Sequence, residues 1–301
     1  MKHFIIFIAF FTFTFNIINA QQLQMVSQFG MQNILINPAA AGANGYTTIG
    51  ANYRKMWGSF PGAPQTNLLY GEGYIAKKRI GVGGSLYNDV TGPTTRNGFT
   101  AAVAYHVPVA DGTNLSFGME ARFLNFRYDR NALALFIPGD PILANSNSRN
   151  LFDLGAGVLL KGKNYTFGLS AQQLAQAKTN YLKSNTTTTE GKLYRHYYAM
   201  GTYSINVDGE TKIVPNFLMK YMPEAPTELD LGVRLEHRHI FWWGVNHRFH
   251  QSFSLYAGVY TKSNLTIGYA FDVYKTPLSL FDRGGNAHEI MLQYAIKKAK
   301  Q

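Results

Sequence analysis

Cysteine is absent from this chain of 301 residues. Its absence excludes a disulfide-stapled secreted scaffold, a thiolate-bound zinc or iron–sulfur centre, a cysteine nucleophile and a lipid-modified N-terminal cysteine. Charged residues are also few, at 15%, whereas 46% of the residues are hydrophobic. This composition is typical of a folded chain and excludes a disordered or low-complexity one.

Long apolar runs are missing from residue 21 onward, where no window approaches 18 consecutive apolar residues. The first twenty residues differ, because Lys2 and His3 precede an apolar run from Phe4 to Phe15. The run is shorter than the ~20 residues of a membrane helix and breaks at Asn16. We therefore predict a signal peptide at residues 1–20, removed near Ala20, and export from the cytoplasm.

What the chain does contain is 29 glycines and 14% aromatic residues. From Tyr46 onward, its apolar residues alternate with polar or small ones, which is a period of two. The clearest run is 228–236, in which leucine and valine alternate with Glu228, Asp230, Gly232, Arg234 and Glu236. Run 115–123 repeats the pattern with Glu120 and Arg122 on its polar side. Alternation of this kind indicates β-strands with one apolar and one polar face.

Fourteen such runs are separated by turn residues. They lie near residues 46–54, 65–76, 80–88, 96–107, 113–126, 151–160, 164–172, 193–206, 211–221, 227–236, 240–247, 251–260, 264–274 and 287–296. Their lengths suit the ~9 to 11 residues of a tilted transmembrane strand and exceed the ~5 to 6 of soluble strands. The predicted fold is an all-β, transmembrane antiparallel β-barrel of about 14 strands over 46–301; a soluble sandwich is the alternative.

The links between these runs mostly alternate between short and long. Links at 77–79, 108–112, 161–163, 207–210, 237–239 and 261–263 are short, whereas 55–64, 89–95, 127–150, 173–192 and 275–286 are longer. Outer-membrane barrels have short periplasmic turns and longer external loops, so we expect both termini in the periplasm. Tyrosines and tryptophans near strand ends are then candidates for interfacial girdles: Tyr46, Tyr53, Trp57, Tyr194, Tyr221, Trp242, Tyr260 and Tyr274.

A barrel of this width is too wide for wall side chains to fill, since ~8 strands already enclose a filled interior. The polar faces are expected to line the lumen, which places Glu120, Arg122, Glu228, Asp230, Arg234 and Glu236 there. Residues 21–45 lack a strand pattern and form an N-terminal periplasmic or plug segment. The lumen is thus either open, or occupied by this stretch or by inward-folded loops.

Sequence motifs for catalysis or metal binding are weak. His237, His239, His247 and His250 fall at opposite ends of one predicted strand, and no G-x-S-x-G occurs. We therefore predict no catalytic, metal or cofactor site and no enzyme. The pI near 9.6 arises from dispersed Lys and Arg, so no nucleic-acid partner is expected. The cluster Lys77, Lys78 and Arg79 falls at a predicted periplasmic turn, where it meets an acidic partner, lipid heads or solvent.

The opening of the mature chain resembles the PorP/SprF membrane proteins of the type IX secretion system. The matching segments are QMVSQF at 24–29, ILINPAAAG at 34–42 and NYRKMWGSFPGAPQT at 52–66, followed by GVGGSLYND at 81–89 and HEIMLQY at 288–294. The signature positions are Asn37, Pro38, Gly42, Arg54, Trp57, Gly62 and Pro64. Pro38 fixes its own backbone and Gly42 permits a bend toward the first strand, which makes these positions structural or partner contacts.

The resemblance implies a component of the Gram-negative outer membrane that is needed for export or surface attachment of secreted proteins such as gliding adhesins. It also implies contacts with periplasmic lipoproteins of that machine, with secreted substrates and with outer-membrane lipid. We expect a docking platform. The alternative on the same scaffold is an outer-membrane diffusion pore or hydrophobic-solute transporter, and an outer-membrane hydrolase is a third possibility.

Overall fold

The computed structural model describes residues 26–59, 61–135, 137–139, 148–178, 191–223, 225–275 and 286–297. The strands are β1 Thr47–Met56, β2 Gln65–Ile75, β3 Ile80–Thr91, β4 Thr94–Ala110, β5 Thr113–Tyr128, β6 Ser148–Lys161, β7 Tyr165–Gln172, β8 His196–Tyr203, β9 Ile205–Asn206, β10 Thr211–Tyr221, β11 Glu228–His237, β12 Phe241–Arg248, β13 Ser252–Tyr260, β14 Leu265–Tyr274 and β15 Ala287–Ile296. A short helix, α1, follows β5 at Arg130–Ala134. No helix in this part of the chain is both long and apolar enough to span a bilayer.

Each strand pairs antiparallel with its neighbours in sequence, and β1 pairs with β15, so the sheet closes on itself. Strand β9 continues β8 beyond Ser204, and both pair with β10. The two count as one strand of the wall, which therefore has fourteen. The predicted closed antiparallel barrel of fourteen strands is confirmed. Closure removes the unpaired edges that an open sheet would expose.

The wall is apolar on its outer face and polar on its inner face. In β5, Met119 and Phe123 point outward with 63% and 47% of their surface exposed, whereas Glu120 and Arg122 point inward and are buried. This arrangement is the inverse of a soluble sandwich, in which the apolar face is buried and the charged face meets water. An exposed apolar belt around a buried polar interior is suited to a surrounding of lipid.

The two rims of the barrel differ. We call the rim that carries the links 76–79, 111–112, 162–164, 207–210, 238–240 and 261–264 the turn end; β1 starts and β15 finishes there. We call the opposite rim the loop end. Of the long links predicted at the loop end, residues 140–147, 179–190 and 276–285 lie outside the described residues.

The prediction of a long loop at 89–95 is wrong. Strand β3 runs to Thr91 and β4 begins at Thr94, leaving a two-residue turn at 92–93. Asp89 and Arg96 are opposite each other in the two strands and form an ion pair of 2.9 Å on the luminal side. Their charges resembled loop composition, but they belong to the polar inner face.

Several of the aromatic residues expected in interfacial girdles face inward instead, including Tyr260, whose hydroxyl donates to Glu236 inside the barrel. Trp242 is 1% exposed and Tyr274 is 5% exposed, whereas the neighbouring Trp243 points outward. Because strand side chains alternate, a one-residue difference in register decides which of two adjacent tryptophans meets lipid. Tyr53 and Tyr221 do lie on the outer face.

Candidate functional site

Residues 26–45, which we call the luminal segment, lie inside the barrel. They form three 3-10 turns at Phe29–Met31, Asn33–Leu35 and Pro38–Ala40. Phe29 and Ala39 are buried against the inner wall, and the last of these turns contacts β4, β5 and β6. Since a fourteen-stranded wall cannot fill its own interior, this segment supplies much of the packing inside.

The start of the luminal segment is held by a buried group of charges, which we call the ion cluster. Arg54 on β1 pairs with Asp272 on β14 at 2.5 Å and with Glu289 on β15 at 3.1 Å. Ser27 joins both carboxylates, because its amide donates to Glu289 at 2.7 Å and its hydroxyl donates to Asp272 at 2.9 Å. Arg54 also donates to the Ser27 hydroxyl at 2.6 Å, so one arginine ties three strands and the segment together.

The middle of the segment is anchored by Asn37. Its side-chain amide donates to the carbonyls of Val158 on β6 and Leu169 on β7, at 3.0 and 3.2 Å. Its side-chain oxygen accepts from the amide of Ala39 and so caps the 3-10 turn that Pro38 begins. These carbonyls belong to the strand wall, so Asn37 replaces water at backbone groups that face the lumen.

Glycines of the wall make room for this turn. A Cβ atom added at Gly157 or Gly168 would overlap the Asn37 side chain, and one added at Gly118 would overlap Ala39. Close backbone approach of this kind is the reason for glycine inside a strand. The glycines at these three wall positions therefore form the seat of the turn.

The end of the segment is fixed near the turn end. Gly42 has φ of +67° and donates its amide to Glu72 at 2.9 Å. His106 on β4 bridges the carbonyl of Ala41 at 2.9 Å and the hydroxyl of Ser116 at 2.6 Å. A Cβ at Gly42 would collide with the backbone of the wall, so the bend that leads into β1 requires glycine.

Trp57, Gly62 and Pro64 lie in the link between β1 and β2 at the loop end. Trp57 has φ of +50°, donates its amide to the carbonyl of Asn286 at 2.6 Å and packs its ring 5.8 Å from that of Tyr274. Gly62 accepts from the amide of Gly92, and Pro64 accepts from the amide of Met56. The contacts with Asn286 and Gly92 fix the β1–β2 link to the β14–β15 and β3–β4 links of the loop end.

The inner wall carries further ion pairs at residues that the alternation assigned to the lumen. Arg122 pairs with Glu120 at 2.7 Å, and Arg234 pairs with Glu236 at 2.8 Å. Glu228 and Asp230 find partners that the sequence did not indicate, Lys220 at 3.0 Å and Arg248 at 2.9 Å. A small cavity of about 60 Å³ remains beside these residues.

The turn end is basic. Exposed residues of its turns and adjoining strand ends include Lys77, Lys78, Arg79, Lys163, Lys212, Arg238, Lys262 and Lys297, against Asp111, Asp208 and Glu210. Lys77 and Lys78 close a 3-10 turn, and Arg79 follows it with φ of +56°. Backbone amides of Glu210 and Thr211 donate to Asp208 and hold the pKa of this carboxyl below its usual value.

A vestibule of about 620 Å³ opens at this end, between the luminal segment and the inner wall. Cationic side chains in its lining include Lys161, Arg234, Arg238, Lys262 and Lys297, and the acidic ones include Glu72 and Glu236. The basic character of the rim therefore continues into the barrel mouth.

Sequence reasoning missed the partners of the predicted site residues. Asp272 and Glu289 lie 218 and 235 residues from Arg54, and only barrel closure brings them together. The signal that pointed toward them was parity, because both belong to the polar side of an alternating run. Among the described residues, no group of three His, Asp or Glu side chains is placed to hold a metal ion.

The closed antiparallel sheet, apolar outside and polar inside, defines this protein as a β-barrel of the outer-membrane type. Solved structures with a similar fold include the outer membrane protein Omp33 of Acinetobacter baumannii, at 9% identity over 83% of this chain and 98% of that one, with a TM-score of 0.48. They also include a FadL homologue of Pseudomonas aeruginosa, at 12% identity over 86% and 92% with a TM-score of 0.48, and the KdgM porin, at 8% over 83% and 99% with a TM-score of 0.42.

The chain belongs to the PorP/SprF family of type IX secretion system membrane proteins, whose family model matches residues 18–294. The resemblance of the opening segments is thereby confirmed. No curated protein matches the sequence. Family and fold together assign the chain to the outer membrane of a Gram-negative bacterium as a membrane component of type IX secretion.

Proposed function

We propose that this barrel is a non-catalytic docking platform of the type IX secretion machine. The turn end faces the periplasm and binds acidic surfaces of the machine's periplasmic lipoproteins, and the loop end holds secreted substrate proteins during export or surface attachment. This orientation is supported by the short links of the turn end, because outer-membrane barrels place their short turns in the periplasm.

The observation that carries the proposal is the filling of the lumen by the protein's own luminal segment. A diffusion pore requires a continuous aqueous path, and a wide barrel gives one only when its interior is empty. Here the ion cluster, Asn37 and Gly42 tie the segment to the wall at three levels. The protein thus offers its rims as surfaces and does not offer its interior as a passage.

The basic turn end supports the choice of partner. Lys77, Lys78 and Arg79 are exposed on one tight turn, and the vestibule adds further cations. Complementary charge accelerates encounter and fixes orientation between partners. An acidic protein surface is accordingly the chemistry that this rim recognises.

Deletion of the gene followed by a census of surface proteins tests the proposal. We expect exported proteins to disappear from the surface and to return with the wild-type gene but not with the variant K77E/K78E/R79E. The control variant K192E/R195E reverses exposed charges at the loop end and should leave co-purification of the periplasmic lipoproteins intact. An unchanged surface census together with altered solute uptake would establish the pore or transporter instead.

A further inference from the structure

The outer face of the barrel carries a row of five asparagines on five successive strands. In register, Asn67 on β2 lies opposite Asn88 on β3, which lies opposite Asn97 on β4. Asn97 lies opposite Asn125 on β5, which lies opposite Asn150 on β6. We call these five residues the asparagine row. Each lies two or three residues from the loop end of its strand.

The row interrupts an otherwise apolar surface. The next outward residue toward the turn end is Leu69, Leu86, Phe99, Phe123 or Phe152, all 47–58% exposed. Amides facing hydrocarbon are costly unless they are hydrogen-bonded. The row meets part of this need within itself, since Asn88 donates to Asn97 at 2.9 Å and Asn125 donates to Asn150 at 2.6 Å. Asn67 donates to Asn88 at 3.5 Å, and Asn125 uses its second donor on the Ser148 hydroxyl at 2.8 Å. Each primary amide has two N–H donors and a carbonyl, so the four members of the row other than Asn125 keep donors for an external oxygen.

The row forms one side of a groove in the outer wall. The groove has a volume of about 680 Å³ and is lined by Asn67, Asn88, Asn97 and Asn125 together with apolar side chains. Ala51 and Gly98 are its small members, and Tyr53, Phe99 and Phe123 are its bulky ones. A shallow apolar groove with a polar margin suits an amphiphile whose chain lies in the groove and whose head meets the amides.

Two cations stand beside the groove. Lys55 follows Tyr53 on the outward face of β1, and Arg127 follows Asn125 on that of β5. Both are exposed and both lie on the loop-end side of the row, about 7 Å along the strand from the residues they follow. They supply positive charge where the head of an amphiphile would sit.

We propose that this groove binds a phosphorylated glycolipid of the surrounding membrane. One acyl chain lies along Leu69, Leu86 and Phe99, hydroxyl and carbonyl oxygens of the head accept from the asparagine row, and Lys55 and Arg127 pair with its phosphates. The row crosses five strands and so extends about 19 Å. That length calls for a head with many oxygens, such as a sugar, and exceeds a single glycerophosphate.

Lipid retention tests the proposal, with lipid A in phosphatidylcholine nanodiscs as the probe. Native mass spectrometry of the released full-length protein should show bound lipid A for the wild type and about tenfold less for N88L/N97L, because two neutral hydrogen bonds to the head are lost. The substitutions enlarge the apolar outer surface and leave the inner wall untouched, so the barrel should still fold. Its heat-dependent migration on gels checks this.

Two further variants sharpen the result. The control N114L/N206L replaces two exposed asparagines on the lumen-facing side of the turn end, away from the groove, and should retain lipid A as the wild type does. The variant K55Q/R127Q should lose the preference for phosphorylated over dephosphorylated lipid A. Equal retention by N88L/N97L and the wild type would overturn the proposal. So would a wild-type dimer that N88L/N97L splits, since a second copy would then fill the groove.

Discussion

Arg54 is the residue on which the largest energetic prediction rests. Replacing it with methionine leaves Asp272 and Glu289 buried beside each other without the guanidinium that pairs with both. Removing one partner of a buried salt bridge costs about 3–5 kcal/mol, because the remaining charge is left buried and unpaired. We expect Arg54→Met to lower the free energy of unfolding by that amount, measured by urea unfolding in detergent micelles.

The control for Arg54→Met also removes the two carboxylate charges that the substitution leaves unpaired. The triple variant R54M/D272N/E289Q should recover much of the lost stability, because neutral amides and an apolar side chain need no counter-charge. If Arg54→Met unfolds at the wild-type urea concentration, the ion cluster does not hold the barrel closed as described.

Residues of the candidate site were predictable from sequence in their face, but their partners were predictable only within a single strand. Alternation assigned Glu120 and Arg122 to one face of one strand, and that is enough to bring them into contact. It assigned Asp230 to the lumen too, yet its partner Arg248 depends on the register between β11 and β12. Register is set by turn geometry and by closure, and neither can be derived from a single run of residues.

At the scale of elements, the wall glycines that form the seat of the turn lead to a specific prediction. Gly157→Val places side-chain atoms where Asn37 now lies, so the turn at Pro38–Ala40 must leave the wall. We expect the wild-type protein to be nearly non-conducting in planar bilayers and Gly157→Val to conduct in discrete steps. Gly71→Ala is the control, because its added Cβ meets only ordinary contacts at 3.6 Å or more. A wild-type protein that conducts as strongly as the variant would show that the segment does not close the lumen.

Strands were the most predictable elements, because each membrane-crossing strand must alternate faces over eight or more residues. The wrong loop prediction at 89–95 arose from the same alternation of polar and apolar residues that identified the strands. Inward-facing Asp89 and Arg96 are as polar as loop residues, and only their pairing across β3 and β4 identifies them as strand. The path of residues 26–45 had no such signal, since three short 3-10 turns have neither the strand period nor the helix period.

At the scale of the whole molecule, the last prediction concerns the basic turn end. Amine-reactive cross-linking in cells should join Lys77 and Lys78 to periplasmic lipoproteins of the secretion machine, because both amines are exposed on that rim. Raising the salt from about 0.1 M to about 1 M shortens the screening length from ~10 Å to ~3 Å. Washes of isolated outer membranes over that range should therefore release these partners severalfold.

Charge reversal separates this attraction from a general loss of the barrel. K77E/K78E/R79E should abolish co-purification of the partners at low salt while leaving membrane insertion unchanged, because the turn lies outside the apolar belt. K192E/R195E alters charge at the other rim and should leave co-purification intact. Partners that stay bound to K77E/K78E/R79E at every salt concentration would move the contact away from this turn. The vestibule cations Arg238, Lys262 and Lys297 would then be the next to reverse, since they share the same rim and the same sign.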